Sequence, residues 1–165
     1  MRPIVILCAA LAAAAVAGLR WSAPPQARGG ITVIFGEEPR TLDPALATRV
    51  LEGRLLAAFL EGLAVPDGET LEPRPGAAES WEVSEDLKRY TFRLREAQWS
   101  DGRPVAAEDF RWSWLRVLST PEAANWELLA CIRGARAFRE KKTPESEVGI
   151  RAPDARTLVV ELERP

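Results

Sequence analysis

Apolar and polar positions change period several times along this 165-residue chain, and each change predicts an element. Residues 3–19 are apolar on every side, with Arg2 before them and Arg20 and a Pro/Gln/Arg/Gly stretch after them. A positive start, an apolar middle and a polar exit predict a secretory leader. The run lies at the short end for a membrane span, so a retained anchor is the alternative. Ile31, Thr32, Val33, Ile34 and Phe35 predict a buried strand, ended by the turn-rich residues 36–44. Over 49–63, Val50, Leu51, Leu55, Phe59 and Leu63 keep helical spacing among Arg49, Glu52, Arg54 and Glu61. Three prolines and two glycines in 64–76 predict loop with at most a short hairpin.

The period then shortens. Residues 80–83, 89–94 and 98–99 read as short strands, and within 89–94 the apolar Tyr90, Phe92 and Leu94 alternate with Thr91 and Arg93. That alternation predicts one buried and one wet face, with Trp81, Trp99 and Phe92 sharing a small core. Ser100 to Pro104 is a tight turn in which Gly102 supplies positive φ. Residues 107–118 predict a helix with Phe110, Trp114 and Leu118 on one stripe. Pro121 near a helix start predicts a second helix running to about residue 141. Residues 148–152 and 157–163 predict two final strands, and no stop signal follows the last, as expected of a chain that continues.

Composition narrows the chemistry. Apolar residues are 47% and charged residues 28%, enough for a core and a soluble surface. A net charge of −2 with interspersed signs argues against nucleic acid or an anionic membrane surface as partner. There is no histidine, which removes the commonest general base and metal ligand. Cys8 lies in the apolar leader and Cys131 in a predicted helix, so no disulfide is expected; Cys131 reads as a small buried hydrophobe. Ser100 with Asp101, or Glu108 with Asp109, are the available catalytic pairs, but neither has a histidine or a nucleophile elbow. Glu108 and Asp109 fit better as first-turn acids of a helix, and no enzyme, metal or cofactor is expected.

The local wording adds what periodicity cannot. Ala78-Glu79-Ser80-Trp81-Glu82-Val83-Ser84 leads into Tyr90-Thr91-Phe92-Arg93-Leu94-Arg95, then Trp99-Ser100-Asp101-Gly102-Arg103-Pro104-Val105 and Ala107-Glu108-Asp109-Phe110. Upstream stand Glu38-Pro39, Leu42-Asp43-Pro44 and Glu61-Gly62-Leu63; downstream stand Ser113 to Arg116, Val148-Gly149-Ile150 and Leu158 to Pro165. In this order and spacing the series resembles family 5 of the bacterial extracellular solute-binding proteins, which includes oligopeptide- and dipeptide-binding receptors. The resemblance runs from Ile31 to Pro165 and implies about the first third of a family member.

The resemblance implies an α/β fold of the periplasmic-binding-protein type II kind: two lobes plus an additional small domain. Residues 1–30 would be leader or anchor with linker, 31–60 the first strand and helix of the first lobe, and 61–165 most of the small domain, α+β within this piece. It further implies an extracytoplasmic receptor that passes peptide to the permease subunits of an ABC importer, without a cofactor. An exported remnant that binds no solute is the alternative. By the family pattern, Thr48, Arg49 and Val50 would line the ligand, joined by the aromatic Trp126. From the residues alone, Val50 reads equally as the start of an apolar stripe and Trp126 as core. Residues that fix peptide termini would lie beyond 165. Where family members often carry Thr, this chain has Ala106, which cannot cap its helix, a loss of about 1 kcal/mol.

Overall fold

The structure, a computed structural model, describes residues 36–165. The expected leader, Cys8 and the strand predicted at 31–35 lie outside them. In chain order come helix α1 (Val50–Phe59), a two-stranded hairpin of β1 (Ala64–Pro66) and β2 (Pro73–Pro75), then β3 (Ala78–Val83) and β4 (Arg89–Leu94). Helix α2 (Ala107–Ser119) follows, then a 3-10 helix Ala124–Leu129, a short helix α3 (Ala135–Arg139), a 3-10 turn Glu145–Glu147, and strands β5 (Ile150–Asp154) and β6 (Thr157–Glu161). Strands β3 to β6 form one antiparallel sheet in the order β3-β4-β6-β5.

The alternation in β4 sets this architecture. Tyr90 pairs with Val160 and Phe92 with Leu158, placing four apolar residues on one sheet face. Helix α2 crosses that face above β5 and β6 and delivers Leu115 and Leu118 into a cluster with Leu94, Ile132, Val148, Ile150 and Leu158. Leu118 and Leu158 are wholly buried, each removal from water favouring the fold by about 2 kcal/mol. On the opposite face Arg89, Thr91 and Arg93 pair with Glu161, Val159 and Thr157.

Four expectations need correction. The helix predicted through residue 141 is broken: residues 124–129 tighten to 3-10 geometry and Gly134 takes φ 74°, leaving only Ala135–Arg139 as α-helix. Cys131, in the turn between these pieces, is consequently exposed rather than buried. Residues 98–99 form no strand, only a single bridge from Gln98 to Pro104 across the turn at Gly102. Trp99 is 38% exposed and does not join Trp81 and Phe92, whose rings meet at 6.4 Å. It instead lines a cleft of about 350 Å³ with Phe59, Leu60, Val105 and Phe110. Its Nε1–H donates to Asp109 Oδ2 (3.1 Å), which also accepts the Ala106 N–H (2.9 Å). Asp109 thus supplies the reciprocal half of a capping box whose other half Ala106 cannot make.

Helix α1 departs most from its pattern. Val50 is 73% and Phe59 70% exposed, whereas its one buried side chain is Glu52. Of the apolar stripe, Leu51 and Leu55 are half-buried and only Leu63, beyond the helix, reaches the core, while the carboxylate has an inward task.

Candidate functional site

Glu52 stands at the third position of α1, where first-turn N–H groups lack helical partners. Its carboxylate turns back and accepts three backbone N–H groups: Arg40 to Oε1 (3.0 Å), Thr48 to Oε2 (3.0 Å) and Arg49 to Oε2 (3.1 Å). Burial alone would push this carboxyl upward, but the backbone donors prevail and hold it below the usual glutamate range. The chain from 40 to 49 is therefore wound around one buried charge.

A second clamp comes from far along the sequence. Both Arg116 terminal nitrogens, on α2, bond the two oxygens of Asp43, Nη1 at 2.7 Å and Nη2 closer still. Asp43 Oδ1 also accepts the Ala45 N–H at 3.0 Å. The Arg116 bonds, followed by this backbone donor, bring the Asp43 pKa down to about 2. The third tie is Asn125, whose Nδ2 donates to the Ala47 carbonyl at 2.8 Å.

These clamps decide what the predicted residues present. The Thr48 and Arg49 N–H groups are consumed by Glu52, and the Arg49 carbonyl accepts from Gly53 at 3.0 Å. The Arg49 guanidinium pairs with Glu37. That leaves the Thr48 carbonyl and hydroxyl and the Val50 N–H without partners among the described residues. Arg49 is extended (φ −99°, ψ 149°), so Thr48 and Val50 share one side of the backbone. Trp126 is half-buried against the core, with Arg139 4.6 Å and Arg136 5.5 Å from its ring centre. Arg139 also donates to the carbonyls of Leu118 (3.3 Å), Thr120 (3.1 Å) and Pro121 (3.0 Å), fixing the stack to the end of α2.

The Asn125–Ala47 bond joins the immediate neighbours of Trp126 and Thr48, so two segments 78 residues apart meet at this place. Among the described residues no group of three metal-binding side chains converges, and no helix is long and apolar enough to cross a membrane. Sequence reasoning missed Glu52, Asp43, Arg116 and Asn125 as the fixtures of this segment. Only Glu52 carried a local signal, an acid at the third helical position.

Residues 72–165 match the profile of the bacterial extracellular solute-binding proteins, family 5, middle region. The chain belongs to that family. It is 39% identical over 130 residues to the dipeptide-binding protein DppE of Bacillus subtilis, covering 78% of this chain and 24% of the relative. It is also 39% identical over 132 residues to the probable deoxycholate-binding periplasmic protein YgiS of Escherichia coli, with 78% and 24% coverage. The crystal structure of Haemophilus influenzae OppA in complex with RPPGFSPFR superposes with a TM-score of 0.72 at 37% identity, over 79% of this chain and 26% of that one. The chain thus spans about a quarter of the length of the relatives it matches. The fold is that of periplasmic oligopeptide-binding proteins, as the resemblance implied.

Proposed function

We propose that this chain forms the opening part of an extracytoplasmic receptor that captures oligopeptides for an ABC importer, with residues 48–50 as a ligand edge. The observation that carries this reading is the pair of unpartnered groups, Thr48 C=O and Val50 N–H, on one side of an extended, clamped backbone. An extended peptide offers complementary groups at the same two-residue spacing, whatever its side chains. Trp126, tied in through Asn125, adds an aromatic edge beside it. In the same reading, residues 1–30 are leader or anchor, 31–60 begin the first lobe, and 61–165 make up most of the additional domain. Delivery to membrane permease subunits follows from the family's role as solute-binding receptors. The deoxycholate-binding relative makes ligand class the first matter to test.

Proline at position 50 isolates the proposed bond. Val50 is the first helical residue and Arg49 is already extended, so proline fits the backbone and removes only the N–H. In a full-length receptor carrying this region, Val50→Pro should weaken peptide binding about 5- to 10-fold, the effect of one hydrogen bond. Unchanged peptide affinity in the folded variant would overturn the edge. Tighter binding of deoxycholate than of any peptide would overturn the ligand class.

A further inference from the structure

We infer that the end of the four-stranded sheet carries a small oxyanion site for a phosphate-class ligand, built from Lys88, Arg89 and Arg133 around Glu161. The scaffold is rigid backbone. Arg89 and Glu161 face each other across β4 and β6. The Arg133 N–H donates to the Glu161 carbonyl at 2.8 Å, and the Leu162 N–H donates to the Lys88 carbonyl at 2.8 Å. Gly149 permits this approach, since a Cβ there would stand 2.6 Å from the Glu161 carbonyl oxygen and 3.1 Å from Arg133 Cβ. A depression of about 260 Å³ lies among Ser84, Asp86, Lys88, Arg89, Arg133 and Glu161.

The charges do not balance. Arg133 Nη2 is 2.8 Å from Glu161 Oε2 and Arg89 Nε is 3.6 Å from Oε1. From outside the depression, Arg151 closes on the same Oε1. Three guanidiniums, each with five N–H donors, share one carboxylate that has about four acceptor sites. Asp86 is occupied by the Ser84 hydroxyl and the Lys88 N–H, and Glu163 is turned to the Gly134 N–H. The depression's lining together with Arg151 thus sets Lys88, Arg89, Arg133 and Arg151 against Asp86 and Glu161, an excess of two positive charges that matches a dianion. Arg151 matters although it does not line the depression. By sharing the Glu161 charge from outside the depression, it leaves Arg89 and Arg133 with N–H donors for an external anion.

The same chemistry could reach the site as free phosphate or as a lipid headgroup. Calorimetry of the whole chain with inorganic phosphate and with pyrophosphate at low salt, alongside co-sedimentation with phosphatidylglycerol and phosphatidylcholine vesicles, separates the two. Saturable phosphate binding is expected, with Arg89→Ala/Arg133→Ala about 10-fold weaker or more. Arg151→Ala should also weaken it, because Glu161 then turns back onto Arg89 and Arg133. Glu161→Gln, which removes the internal competitor, should strengthen it several-fold. Sedimentation with phosphatidylglycerol that is lost in the same variants identifies the headgroup as the source; its absence alongside phosphate binding identifies the free ion. No saturable phosphate binding below about 10 mM overturns the inference. So does a folded Arg151→Ala that binds as the unchanged protein does.

Discussion

Replacing Gly134 and Gly102 separately by alanine asks whether tertiary contact, rather than turn conformation alone, makes glycine necessary in this fold. Both glycines lie in the left-handed region, at φ 74° and 86°. There an L-residue is disfavoured by about 1–2 kcal/mol, partly offset by about 0.4–1 kcal/mol from the stiffer unfolded chain. Gly102 has open space where an added methyl group would stand, so its variant should lose about 1 kcal/mol or less. At Gly134 the new Cβ would stand 2.7 Å from the Glu147 carbonyl oxygen and 3.3 Å from its carbon. Those are backbone atoms that no rotamer change can withdraw, which adds about 1–3 kcal/mol of overpacking. Gly134→Ala should therefore lose about 3 kcal/mol in total. Gly134 begins α3, the helix that carries Arg136 and Arg139 to Trp126, so tryptophan fluorescence should also report the disturbance. Urea unfolding followed by that fluorescence gives both differences. Equal losses within about 0.5 kcal/mol would refute the close approach of Gly134 to Glu147.

Acid titration should single out the Asp43–Arg116 clamp. The folded carboxyl is lowered from 3.8 to about 2, so its contribution is complete above the unfolded value and disappears as pH falls from about 4 through 2. Asp43→Asn should flatten the stability profile over that window, measured by thermal melts against pH; an unaltered slope refutes the clamp. Leu118→Ala should lose about 2–5 kcal/mol because the side chain is fully buried, whereas Trp99→Ala should lose under about 2 kcal/mol, and denaturant midpoints that reverse this order refute the packing described. Glu52→Gln replaces an acceptor pair with an amide whose NH₂ must face backbone donors, so trypsin should cleave after Arg40 and Arg49 faster than in the unchanged protein. Unchanged cleavage rates at those sites would remove Glu52 from its organising position.

What could be read from the residues in order was whatever depends on near neighbours. The two-residue alternation of Tyr90, Phe92 and Leu94 fixed the buried face of β4, and the stripe from Phe110 to Leu118 set α2, because both periods come from backbone geometry alone. The motif series from Ala78 to Phe110 likewise carried the family, confirmed across residues 72–165. Tertiary structure decided the rest. Helix α1 has an apolar stripe, yet it buries Glu52, because three backbone N–H groups of a preceding loop need an acceptor and no periodicity reports that need. The helix expected beyond Pro121 became a 3-10 helix over 124–129 and a turn at Gly134, whose positive φ lets the chain pass against Glu147. Asp43 meets Arg116 across 73 residues and Ala47 meets Asn125 across 78, and together they hold the segment that carries Thr48 and Val50. Partnering of polar groups is a property of the folded whole, since each bond is chosen by which other groups burial has left unsatisfied.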